Sequence, residues 1–289
     1  MRSVLLTQEE AMSSFNPKAY LEPATKALEK QFGIGQSRLP KVAIVLGTGW
    51  GDLLKIDEER SMPMGDLPGF ESLGELHGHK RLVCYGDVAG KKVIALRGRV
   101  HQYEGLYDLR VEEMVRIQVE MFVELGVKTF ILTNAAGGLA RKACCGDVVM
   151  ANGFLRLYAP PPPLFPQEWN SADTAVNHED LRGIVRMSRG EVKGLTLVEG
   201  GFAMVRGPNF EGPYDKAVLA QHAVCVGMST FPEASVLAQH VDKGVRAIAL
   251  SYITNNDVEE HKHETNVERA KEDADKLRLL LENVIKRLP

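Results

Sequence analysis

Along the chain, short apolar runs of strand length alternate with stretches whose apolar residues recur every three or four positions. Val42–Leu46 is a β-rich run that ends in glycines. Leu82–Val88 and Lys91–Leu96 flank Ala89-Gly90, which predicts a hairpin. Thr129–Thr133 predicts a strand followed by a loop over 134–138, and Val224–Val226 and Val245–Ser251 repeat the strand pattern around an intervening helix. Helical spacing through Val111, Met114, Phe122 and Leu125 predicts a helix over 108–125 that stops at Gly126. A leading helix is expected after Asn16-Pro17, ending at Gly33 and Gly35. Thr265 and Glu268 form a capping-box pattern ahead of a stripe through Val267, Leu277, Leu281, Val284 and Leu288, which predicts a last helix packed on the core. Strands alternating with helices imply an α/β fold: one domain over residues 1–289, with a central mixed, largely parallel sheet flanked by helices. The one compositional break is Ala159–Pro166, with four consecutive prolines and polar residues onward to Asp180. It reads equally as a stiff surface connection or as a functional segment, either a lid or a stretch reaching a neighbouring subunit.

Charge and composition narrow the classes. The formal net charge is −3 with no basic block, which argues against binding a nucleic-acid backbone. The apolar runs fall far short of the roughly 18 residues a membrane span requires. Glu9 and Glu10 follow Met1 too closely for the apolar core of a signal peptide. Four cysteines without CxxC spacing indicate neither a zinc knuckle nor a disulfide framework, so a reduced, cytoplasmic protein is expected. Glycine is in mild surplus, 27 of 289 residues, or about 9% against a usual ~7%. Much of it falls in the loops that carry the candidate chemistry.

Those loops follow strands, where α/β sheets bind ligands. Gly47-Thr48-Gly49-Trp50-Gly51 lets backbone N–H groups and the Thr48 hydroxyl approach an anion, although Asp52 spoils a dinucleotide-binding pattern. In Arg97–Gly105, strand alternation predicts Arg97, Arg99, His101 and Tyr103 on one side, an oxyanion-facing cluster that Glu104 could orient. Asn134–Gly138 suits a wall against a flat or sugar-like ligand. Ser229 and Thr230 could cap the helix near Pro232 or hold an anion. Phe210 beside Glu211, and the amides of Asn255 and Asn256, offer stacking, an acceptor and a donor to a heterocycle.

In this order, VAIVLGTGWG (42–51), GHKRLVCYG (78–86), RGRVHQYEG (97–105), TNAAGGL (133–139), VRGPNFEG (205–212), VGMSTFPE (226–233) and SYITNND (251–257) resemble the trimeric purine nucleoside phosphorylase family. The resemblance spans about residues 40–265. It implies phosphorolysis of a purine nucleoside to free base and pentose 1-phosphate, with inorganic phosphate as co-substrate and no metal or organic cofactor. It also implies a homotrimer with the site near a subunit interface. Phosphate would be held by Thr48 (in place of the family's serine), His79, Arg99, His101, Ser229 and the Ala135 backbone. Tyr103 and Met228 would contact the ribose, with His263 near the 5′-hydroxyl. Phe210 would flank the base, Glu211 would accept from the ring N1–H, and Asn255 would hold O6/N7. Asn255, His101 and Glu211 carry the expected catalysis. His77 competes with His79, His261 with His263, and either Phe165 or Trp169 would be the subunit-bridging aromatic. The Glu211/Asn255 pair points to inosine and guanosine, since the related methylthioadenosine phosphorylases carry Asp in place of the asparagine and lack the carboxylate. The alternatives are a methylthioadenosine phosphorylase-like or a xanthosine-preferring phosphorylase.

Overall fold

A computed structural model of the chain describes residues 15–74, 80–105, 108–256 and 273–289. The order among them is α1 (Lys18–Phe32), β1 (Val42–Leu46), β2 (Asp57–Pro63), β3 (Leu82–Val88), β4 (Lys91–Arg97), α2 (Leu109–Glu124), β5 (Thr129–Gly138), β6 (Val148–Tyr158), α3 (Asp173–Val176), α4 (Glu179–Gly190), β7 (Leu197–Val205), α5 (Pro213–Leu219), β8 (Cys225–Gly227), α6 (Phe231–Ala238), β9 (Arg246–Asn255) and α7 (Ala274–Arg287).

All nine strands join one mixed sheet in the order β2-β3-β4-β1-β5-β8-β7-β6-β9. An additional β5–β9 pairing closes β5, β8, β7, β6 and β9 into a ring. Parallel pairing links β1 to β4 and β5, β5 to β9, and β7 to β6 and β8. The remaining pairings are antiparallel. The central strand β1 is buried at every position, so its sequence Val-Ala-Ile-Val-Leu is apolar throughout rather than alternating. Because β4, β1, β5 and β9 run the same way, their carboxyl ends emerge on one side, and the segments after β1 and β4 meet the ends of β5 and β9 there; the segments after β7 and β8 reach the cavity from strands antiparallel to β5.

Local chemistry sets the helix ends. Asp108 caps α2 by accepting from the Arg110 N–H at 2.9 Å. Gly33 closes α1 in the left-handed region. In α7, Leu277, Leu281, Val284 and Leu288 are buried in a core cluster that includes Leu181 and Val185 of α4, as the stripe predicts. The capping residues Thr265 and Glu268 lie outside the described residues.

Three predictions need correction. Residues 134–138 are not a loop: β5 continues through Gly138, its second half paired with both β9 and β8. Likewise β9 runs to Asn255 rather than stopping at Ser251. Arg97 does not share a side with Arg99, because Gly98 takes a φ of +101° and breaks the alternation. Strands β2, β6 and β7 have no counterpart in the pattern. The first is an exposed edge strand written in charged residues, Asp57-Glu58-Glu59-Arg60. In β6, Asn152-Gly153 reads as a turn but forms a register shift within the strand. The proline segment is a connection tied to its own chain: the Pro161 and Pro163 carbonyls accept from Gln102 (3.0 Å) and Arg116 (3.2 Å).

Candidate active site

Six chain segments line one cavity of about 280 Å³. They are the loop after β1 (Thr48), the segment after β4 (Arg99, His101, Tyr103), the second half of β5 (Asn134–Gly137), the segment after β7 (Pro208, Phe210, Glu211), the end of β8 (Val226–Ser229) and the end of β9 (Thr254, Asn255). Thus Thr48, Arg99, His101, Tyr103, Ala135, Phe210, Glu211, Met228, Ser229 and Asn255, predicted from six scattered motifs, share one wall-to-wall space. His79 and His263, with their alternatives His77 and His261, lie outside the described residues.

The anion side is built around Arg99, 1% exposed. Its guanidinium donates to Glu233 at 2.6 Å, to the Thr230 hydroxyl at 3.4 Å and to the Thr133 carbonyl. The glycine loop comes in tightly above it. A Cβ on Gly47 would sit 2.5 Å from the Thr133 carbonyl oxygen and 2.8 Å from the Arg99 fork, so only glycine fits there. Ser229 and Thr230 do not cap α6 by side-chain hydrogen bonds. Instead Thr230, at φ +75° and ψ −44°, is the centre of a γ-turn closed by the Phe231 N–H on the Ser229 carbonyl at 2.9 Å. For a β-branched residue this conformation costs about 1–3 kcal/mol. It places Ser229 on the cavity and the Thr230 hydroxyl on Arg99.

His101 sits between Arg99 and Glu104. The Glu104 carboxylate accepts from the His101 backbone N–H at 2.7 Å and lies 3.2 Å from its Nδ1. That contact assigns the imidazole proton to Nδ1 and leaves Nε2 as an acceptor. Burial holds the His101 pKa below its usual value, Arg99 pushes the same way, and Glu104 opposes, so the ring is neutral at pH 7. Burial alone would raise the Glu104 pKa, but hydrogen bonds from His101 and the Arg81 ion pair outweigh it and the net shift is downward. The Tyr103 ring stacks on His101 at 4.7 Å, and burial with the nearby Glu104 charge pushes its phenol up to about 12.

Phe210, on the same cavity, is 46% exposed and brings an aromatic ring to its lining. Burial raises the Glu211 pKa, with Asp215 adding to the shift while its own backbone N–H and Lys216 oppose it. The carboxylate is therefore poised for a donor that would stabilise its charge. The Thr254 hydroxyl lies 3.1 Å from Asn255 Oδ1. That contact engages the amide oxygen of Asn255, whose side chain lines the cavity.

Other residues of this site were missed by sequence reasoning. Glu233 stood inside a motif without a role, and nothing local marks it as the counter-charge of Arg99. Gln118, fully buried in α2, accepts from the Val100 N–H at 2.9 Å and donates to its carbonyl at 3.1 Å, clamping the Arg99–His101 segment. Its signal was an amide standing within the apolar stripe between Met114 and Phe122. Arg97 turns away from the cavity, to Gly51, Leu54 and Glu59.

A cationic and hydroxyl-bearing cluster, a stacked aromatic pair, a carboxylate and a carboxamide thus line one cavity, a set of groups suited to an anion next to a polar heterocycle. The chain belongs to the Phosphorylase superfamily, whose family model matches residues 41–288. It is 30% identical over 271 residues to a purine nucleoside phosphorylase of Rattus norvegicus, covering 86% of this chain and 90% of the relative. It is 31% identical over 225 residues to purine nucleoside phosphorylase 1 of Bacillus subtilis, covering 75% and 79%. The solved structure of Schistosoma mansoni purine nucleoside phosphorylase in complex with inosine superposes with a TM-score of 0.78 at 26% identity, covering 94% of this chain and 97% of that one.

Proposed function

We propose that the protein is a purine nucleoside phosphorylase, a pentosyltransferase that cleaves 6-oxopurine nucleosides (inosine, guanosine and their deoxy forms) with inorganic phosphate, giving free base and (deoxy)ribose 1-phosphate. The observation that carries this reading is the single cavity in which Arg99, His101, Thr48 and Ser229 adjoin Tyr103 and Met228 and face Phe210, Glu211 and Asn255. A Schistosoma mansoni relative has also been solved with adenosine, so the fold by itself does not choose the 6-substituent. The choice rests on Glu211 as acceptor for N1–H and Asn255 as donor to O6 and N7. A 6-amino purine keeps N7 but offers neither the N1–H nor the O6 acceptor.

The C1′–N9 bond breaks heterolytically, its electron pair passing to the purine, while a phosphate oxygen forms the new bond to C1′, and the proton of the hydrogen phosphate passes to the purine to give the neutral free base. Phosphate, held by Arg99 and the loop hydroxyls, lies against the developing ribosyl cation, so positioning supplies much of the acceleration. Asn255 stabilises negative charge on the departing base at N7, a contribution of the kind that gives about 10²–10³ in rate. Neutral His101 accepts a phosphate or ribose hydroxyl at Nε2. The reaction needs no metal or organic cofactor by this reading.

A homotrimer in the cytoplasm belongs to the same proposal. Phe165 packs against Phe15 and under Arg116 of its own chain, whereas Trp169 is 84% exposed and is the aromatic free to reach a neighbour. The deciding experiment is inosine cleavage with and without phosphate. Strict phosphate dependence with ribose 1-phosphate as product supports the proposal. Phosphate-independent cleavage marks a hydrolase and no cleavage a binding protein, and adenosine cleaved as efficiently as inosine removes the 6-oxopurine preference.

A further inference from the structure

Arg97 belongs to none of the groups that line the cavity, yet it is only 8% exposed and hydrogen-bonded to the loop that carries Thr48. Besides an exposed Lys80–Asp52 ion pair, that loop, residues 47–54, is fixed at three points. At its start the Gly47 N–H meets the Thr133 hydroxyl at 3.3 Å. At its middle the buried Trp50 indole donates to the Asn134 carbonyl at 2.9 Å. At its end the Arg97 fork donates to the Gly51 carbonyl at 2.5 Å and to the Leu54 carbonyl at 3.1 Å, while Glu59 of the edge strand holds the same guanidinium at 2.7 Å.

The first two anchors belong to β5, the floor of the cavity; the third ties the far end of the loop to β4 and β2. We infer that Arg97 is a positioning residue for anion capture: it sets the loop that presents Thr48 and its backbone N–H groups, acting through Gly51 and Leu54 without touching the anion. This rests on the phosphate reading above.

Two observations favour positioning over a second anion site. The open groove beside Arg97 is lined by Asp52, Asp57 and Glu59 as well as Lys55 and Lys80, so its charges balance and no net positive field is left for an anion. The fork is also committed to two carbonyls and a carboxylate at once. That geometry needs a guanidinium, since a lysine ammonium is a single point donor and a glutamine amide reaches one carbonyl.

The test is steady-state inosine phosphorolysis with Arg97→Gln, Arg97→Lys and Glu59→Gln, varying phosphate and inosine separately, with phosphate-dependent melting as a readout independent of turnover. Arg97→Gln is expected to raise KM for phosphate about tenfold, the scale of one lost charge-assisted anchor. KM for inosine at saturating phosphate should stay within about twofold, and the phosphate needed to raise Tm should increase in step. Arg97→Lys and Glu59→Gln should fall between wild type and Arg97→Gln, and they carry the same comparison if the glutamine variant does not fold. An unchanged KM for phosphate in a folded variant, or an equal rise in both KM values, overturns the inference. A wild-type enzyme that cleaves inosine without phosphate overturns the phosphorylase reading itself.

Discussion

Replacing Glu233 with alanine removes the counter-charge from a cation sealed beneath the cavity. Arg99 and Glu233 are each 1% exposed and lie 2.6 Å apart, so neither exchanges its partner for water. Breaking such a pair by deleting one member typically costs about 3–5 kcal/mol, because the remaining charge stays buried. At roughly 2 °C of Tm per kcal/mol for a chain of this size, the variant should melt about 6–10 °C below wild type. Phosphate should then recover part of the loss, since an anion bound at Arg99 supplies the missing negative charge. Ligand at about 100 times its Kd stabilises by about 2.7 kcal/mol, so phosphate should raise the wild-type Tm by several degrees. The rise should be larger in Glu233→Ala. Glu233→Gln, which keeps the shape without the charge, should lie between. The assay is thermal unfolding across a phosphate titration, with chloride at matched ionic strength as control. A Glu233→Ala protein that melts within 2 °C of wild type, or that gains no more from phosphate, would refute the reasoning.

Other outcomes follow from the same geometry. Gln118→Ala leaves the buried N–H and carbonyl of Val100 without their clamp, and at about 1–3 kcal/mol for each unmet group the cost should be about 2–6 kcal/mol by denaturant unfolding; an unchanged midpoint would count against the clamp. Asn255→Ala should lower turnover by about 10²–10³ while KM for phosphate changes little; equal losses in both would remove its leaving-group role. The raised Glu211 pKa means that, as pH falls, its carboxylate is protonated above the usual 4.5 and stops accepting N1–H. The kcat/KM for inosine should therefore decline on the acid side from above that value, and Glu211→Gln should lose that limb. His101 works in the opposite sense on stability. Its folded pKa is depressed, so as pH drops through 6.5 the unfolded chain takes up the proton first and stability decreases. A melting temperature flat from neutral pH down to that depressed value would contradict the burial assigned to it.

Much of this architecture is written locally. The apolar run Val42–Leu46, the Ala89-Gly90 hairpin, the helix that stops at Gly126 and the stripe of α7 each follow from neighbouring residues, and each forms as predicted. Ten of the site residues could be picked because their chemistry clusters in short motifs at or after strand ends, and all ten line one cavity. Other features could not be read this way. Charged β2 and the Asn-Gly step in β6 carry loop-like composition, and only pairing with β3 and β7 makes them strands. The small residues of 134–138 become sheet because β8 and β9 supply hydrogen-bond partners on both sides. Arg97 and Arg99 look alike in the sequence and do different jobs, because Gly98 turns one toward the loop's underside and the other toward the cavity. What the sequence by itself determined was which segments are strand, helix or ligand-facing loop, since those depend on residues a few positions apart. What only the tertiary structure decided was which polar groups satisfy one another: Arg99 finds Glu233 across 134 residues, and burial makes that single contact obligatory for both.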